Sequence, residues 1–230
     1  MSKYIWCEDT GSGYEFWREI AASIDPEIEI ESKGNNSELR KAVEHISDDN
    51  DDYYVFMDAS IDNQDVLREI MRIRKIAASK GNVHIVKIHS FEHVLLSFEL
   101  LEEWIFAEQD DLKTKRQNLL SARKLFLKMD PEAIDSECYS EIFDLTGYNK
   151  NKNSEQIAAS LLYDITRNTG FETNKSKLGE CFVNDCCTWS ARQDHDICGL
   201  DHDRPLSKEK KTLLINRSEL QKPLREVGLI

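Results

Sequence analysis

Five acidic residues stand at or just beyond the ends of apolar, strand-like runs, and they are the first candidates for chemistry. Glu8 and Asp9 follow "KYIWC", Asp58 ends "YYVFMD" with Asp62 four positions on, and Glu92 comes soon after "HIVKIHS". Carboxylates are hard oxygen donors, and a group of them suits Mg²⁺ or Mn²⁺, with waters and a substrate phosphate completing the shell. Glu8 and Asp58 directly follow apolar strand residues, where an unpaired carboxylate is costly to bury. The other three also have structural readings. Asp62, just before Asn63, can cap the helix that follows. Glu92 falls in a first helical turn, where the helix dipole favours an acid. Asp9 opens the turn "DTGSG".

A second group is made of sulfur. Cys181, Cys186, Cys187 and Cys198 fall within "ECFVNDCCTWSARQDHDIC", while Cys7 and Cys138 stand alone. In a reducing compartment such clustering points to metal ligation more than to disulfides. A tetrahedral zinc held by Cys181, Cys186, Cys198 and a fourth ligand is expected. Cys187 is the first choice for the fourth place, with His195 and His202 as alternatives. A site filled entirely by protein is structural, a staple for a loop-rich segment that cannot fold alone. The plainer alternative is four thiols in a small apolar subdomain.

The elements that must position the carboxylates can be read from periodicity. Strand-like runs "KYIWCED", "EIEIES", "YYVFMD" and "NVHIVKIHS" alternate with helical runs "YEFWREIAASI", "SELRKAVEHIS", "NQDVLREIMRIRKIAASKG" and "FEHVLLSFELLEEWIF", with Ser37 as the expected cap of the second helix. This βαβαβαβα order predicts an α/β fold, a parallel four-stranded sheet with flanking helices. Ligands in such sheets gather beyond the carboxyl ends of the strands, and the five acids lie there. Beyond residue 108 the chain turns helical, with runs over 110–129, 136–147 and 154–170. Three regions are therefore expected: an α/β domain at 1–108, a helical region at 109–174, and a cysteine-rich, zinc-stapled C-terminal segment at 175–230.

The chain carries 43 acidic and 30 basic residues, a formal charge of −13. Such a surface disfavours non-specific nucleic-acid binding, which depends on Lys and Arg neutralising phosphates. Nucleic-acid chemistry here needs a local basic patch, a bound metal or a basic partner. No apolar run approaches the ~20 residues of a membrane span. The N-terminus lacks the features of a signal peptide, so a cytoplasmic location is expected.

The carboxylate plan resembles the Toprim domain: a strand ending in Glu, a glycine turn and helix, then a later strand ending in Asp with a second Asp close by. "IWCEDTGSGYEFW" and "HSFEHVLLSF" are similar to segments of the RloB-like group, which stands with the OLD-type nucleases among phage-defence proteins. The resemblance covers about residues 3–106. It implies a Mg- or Mn-dependent nuclease in antiviral defence, working with an ATPase partner. It also implies roles: Glu8 as general base or ligand, Asp58 as principal metal ligand, Asp62 as the second, and Glu92 as a peripheral acid. Asp9, at the tip of the first strand, is expected beside Glu92 among the cofactor-binding acids on position alone. The sequence departs from the family plan at two points. Asp9 stands where the family has glycine, and Ser60 stands where its second aspartate falls, which stretches the pair to Asp58 and Asp62. These departures support a second expectation, a non-catalytic protein that keeps the Toprim scaffold for binding. A receiver domain with Asp58 as phosphoacceptor ranks lower, because a fifth strand ending in Lys is missing.

Overall fold

Aromatic and β-branched residues at period two build four strands: β1 (Lys3–Cys7), β2 (Glu29–Ser32), β3 (Asp52–Asp58) and β4 (Val83–Ile88). They belong to a computed structural model that describes residues 1–47, 50–58, 62–106, 110–129, 136–169, 171–179 and 207–230. All pairings are parallel and the strand order is β2-β1-β3-β4, which realises the expected α/β architecture. Alternate side chains serve opposite faces. Ile5, Cys7, Tyr54, Phe56, Val86 and Ile88 meet helix α1 (Ser12–Ile24) in one apolar cluster. Trp6, Tyr53, Val55, Met57 and Val83 meet α2 (Asn36–Glu44) and α3 (Gln64–Ala77) in the other. The chain leaves β1 toward β2 on one side, then returns to β3 on the other. The strand order therefore reverses between β1 and β3, the place where sheets of this type open a crevice for ligands.

The remaining helices are α4 (Phe91–Ser97), α5 (Leu101–Phe106), α6 (Asp110–Lys115), α7 (Gln117–Phe126), α8 (Ser136–Thr146), α9 (Ser154–Thr166), α10 (Ser207–Asn216) and α11 (Gln221–Glu226). Leu120, Ile142, Ile157, Leu161, Leu214 and Leu224 from this set share one apolar core with the α1 face of the sheet. Trp6, Trp17 and Trp104 are all in the core, as their apolar settings suggest.

Tertiary contacts overrule the periodicity at three places. The run from Phe91 to Phe106 is two helices, because Phe98 turns out of the helix with ψ 118°. Arg123 stabilises that break: its guanidinium donates to Leu96 O at 2.6 Å, Phe98 O at 3.0 Å and Glu102 Oε1 at 3.1 Å. The run over 110–129 breaks at Arg116, whose guanidinium instead donates to the carbonyls of Ile165 and Arg167 at the end of α9. Asn35, rather than Ser37, caps α2, accepting from Glu38 N–H at 3.0 Å. Among the described residues the sheet has four strands, which leaves the receiver plan without its fifth. No helix among them is long and apolar enough to cross a membrane. The expected zinc segment, with Cys181, Cys186, Cys187, Cys198, His195 and His202, lies outside the described residues.

Candidate metal centre

The parallel register of β1 and β3 sets Cys7 opposite Phe56, so the chains leave both strands at the same edge. Glu8 therefore meets the end of β3, and its Oε1 accepts the Asp58 backbone N–H at 3.0 Å. Asp9 turns the other way, over the start of α1. Its Oδ2 accepts Trp17 Nε1–H at 2.7 Å, while its Oδ1 lies 2.4 Å from where a Cβ on Gly13 would stand. Only glycine admits that approach. Gly11, with φ 57°, supplies the left-handed residue that the turn needs before the helix. Glu92 sits in the first turn of α4, behind the cap formed when Ser90 Oγ accepts His93 N–H at 3.1 Å.

These acids raise one another's proton affinity. Burial first, then the charges of Asp9 and Glu155, pushes the Glu8 carboxyl up to about 7 against the accepted Asp58 N–H, which lowers it. Asp9 is pushed up to about 6 by burial and Glu155 despite the Trp17 hydrogen bond. Glu92 rises to about 7, again through burial first, with Asp9 and Glu155 adding. Asp58 is raised well above the ordinary range by burial, followed by Asp9, Glu8, Glu92 and Glu155. Among the described residues, the leading influences on the four are burial, hydrogen bonds and other acids. Buried like charges without a counter-charge are unfavourable, and a bound cation relieves that cost.

Glu155 is the member that sequence reasoning missed. It lies in the first turn of α9, where the helix dipole alone accounts for an acid. Nothing local marks it, because the helical region brings it to the strand tips only through tertiary packing. Asp62 is the device next to it. Both Asp62 carboxylate oxygens are engaged by the helical region: Oδ2 accepts Ser154 N–H at 2.6 Å and Tyr139 O–H at 3.1 Å, and Oδ1 accepts Ser154 O–H at 2.8 Å. Asp62 thus holds the N-terminus of α9 rather than that of α3, which Asn63 caps. The Tyr139 hydroxyl is pushed up to about 12 by burial and by Asp62. The structure brings Glu8, Asp9, Asp58 and Glu92 together, adds Glu155, and sets Asp62 to bridging.

The donor set has the chemistry of a divalent-cation site. Every side chain offers carboxylate oxygen, and the buried Asp58 Oδ1 accepts no hydrogen bond. Among the described residues, no three His, Cys, Asp or Glu side chains are arranged to hold a metal ion as they stand. Mg²⁺ needs only one or two direct carboxylates and keeps waters for its other positions. Cys7, directly before Glu8, is no nucleophile: burial and the neighbouring acids push its thiol up to about 12. Compared with family models, with curated proteins and with solved structures, the chain matches none.

Proposed function

We propose that this chain is a Mg²⁺- or Mn²⁺-dependent phosphodiester-processing protein, a nuclease of Toprim type, with its site at the ends of β1, β3 and β4. The observation that carries this reading is the mutual influence of Glu8, Asp9, Asp58, Glu92 and Glu155, with Asp58 Oδ1 buried and accepting no hydrogen bond. Asp58 and Asp9 would hold the ion, and Glu92 and Glu155 would hold its outer waters. A bound divalent ion supplies an activated water and stabilises charge developing on the phosphodiester. Glu8, whose Oε1 meets the Asp58 N–H at the end of β3, would stand beside that water as its general base. An ATPase partner and a role against phage form the biological setting of this reading, and both rest on the resemblance alone. A structural zinc in the cysteine segment belongs to the same proposal.

One observation favours a non-catalytic binding protein instead: both Asp62 oxygens are engaged by Ser154 and Tyr139, so the stretched aspartate pair does not face a single ion. Thermal unfolding with and without Mg²⁺ or Mn²⁺ separates the two readings. The nuclease reading requires a metal-dependent rise in Tm that Asp58→Ala abolishes, together with metal-dependent cleavage of DNA or RNA. Absence of both responses in the wild type overturns the nuclease reading.

A further inference from the structure

The surface opens into a cleft of about 410 Å³, lined by Asn149, Asn151, Lys152, Gln156, Ser160 and Lys175 among others. Its composition is unusual for this chain. The overall charge is −13, yet the described residues of the cleft wall carry two lysines, amides and a hydroxyl. The volume falls within the ~300–1,000 Å³ typical of small-ligand sites.

Both walls are tied to the candidate metal centre. On one side, Gln156 directly follows Glu155 in α9, the helix whose start is held by Asp62. On the other, the Lys175 carbonyl accepts Ser12 N–H at 3.5 Å and stands 2.6 Å from where a Cβ on Gly11 would lie, against the turn that follows Asp9. The Lys152 side chain and the Lys175 backbone are both held in place. Lys152 Nζ donates to Ser160 Oγ at 2.5 Å and stands 5.2 Å from the centre of the Tyr148 ring. Lys175 lies in a tight turn closed by Asn174, whose Oδ1 accepts from Ser176 and Lys177 N–H at 3.0 and 3.1 Å, and it lines the cleft.

We infer that this cleft is the phosphate-binding subsite of the substrate, in which Lys152 and Lys175 seat a phosphate ester next to the carboxylate cluster. The inference rests on the phosphodiester reading above and supplies what the net charge denies: a local positive patch placed where the substrate must enter. Ammonium groups bind phosphate as point charges, and the amides of Asn149, Asn151 and Gln156 provide hydrogen bonds to sugar or base.

The test is binding of a fluorescein-labelled single-stranded DNA oligonucleotide to the full chain, followed by anisotropy across a salt series, with AMP as competitor. Lys152→Ala and Lys175→Ala are each expected to weaken binding about tenfold and to lower the salt slope by about 1. Lys222→Ala, outside the cleft lining, is expected to change neither. Competition by AMP identifies a mononucleotide ligand, and failure of AMP to compete identifies a strand; both support the subsite. Retained binding and slope in both cleft variants, or no binding by the wild type, overturns it. The Mg²⁺ response of Tm, measured in the same variants, keeps the two readings apart. Lysine-dependent binding without a metal response leaves the subsite standing and removes the nuclease reading. A metal response with lysine-independent binding does the reverse.

Discussion

Replacing Glu8 by Gln should stabilise the metal-free protein at alkaline pH, an uncommon outcome for a polar substitution in a buried site. The Glu8 carboxyl is raised from 4.5 to about 7 on folding, mainly by burial and by Asp9 and Glu155. Between those two values the folded state binds more protons than the unfolded chain, so its stability falls as pH rises through that window. At about 1.36 kcal/mol per pH unit, a Glu8 carboxylate costs about 3 kcal/mol near pH 8, and below about 1 kcal/mol near pH 5. Gln removes the charge while its Oε1 can still accept the Asp58 N–H, the contact made at 3.0 Å. With a chelator present, Glu8→Gln should therefore raise Tm by roughly 6–12 °C near pH 8, taking about 2–4 °C per kcal/mol for a chain of this size. Near pH 5 the gain should nearly vanish. Mg²⁺ should narrow the gap at pH 8, since the ion relieves the same repulsion in the wild type. Thermal unfolding over a pH series is the assay. A Gln variant no more stable than wild type at pH 8, or an equal shift at both pH values, refutes the argument that crowded carboxylates destabilise the metal-free site.

Two further outcomes follow from the geometry, and a third from the spacing of the cysteines in the sequence. Asp62→Ala removes the acceptor for Ser154 N–H, Ser154 O–H and Tyr139 O–H, and should cost roughly 2–4 kcal/mol in denaturant unfolding, with Asp62→Asn recovering part of it. Arg123→Met leaves the Leu96 and Phe98 carbonyls and Glu102 without their shared donor, and should cost roughly 3–5 kcal/mol by the same measurement. Elemental analysis should find one zinc per chain, and Cys181→Ala should lose it while leaving the Mg²⁺ response intact; a zinc content near zero with all six thiols titrating in the folded protein defeats that expectation.

The strands and first helices were legible because each buries one face of a regular element. "YYVFMD" alternates between the two apolar clusters, and "YEFWREIAASI" places Phe16, Trp17 and Ile20 together in the core. The helix breaks at Phe98 and Arg116 were not legible. The apolar stripe runs on through Phe98, and what turns the chain there is Arg123, 25 residues away. Arg116 likewise answers to the carbonyls of Ile165 and Arg167.

The site divides along the same line. Glu8, Asp9, Asp58 and Glu92 could be placed in advance because the carboxyl ends of parallel strands share one edge, so a linear pattern of strands and acids already implies their meeting. Glu155 and Asp62 could not. An acid in a first helical turn and an aspartate before a helix each have a sufficient local explanation, and local explanations conceal long-range ones. The 92-residue separation between Asp62 and Ser154 is closed by packing of α9 into the core, which sets the helix start against the strand tips. That placement depends on the summed burial of Ile157, Leu161 and Ile165 rather than on any residue of the site, and no motif at Glu155 records it.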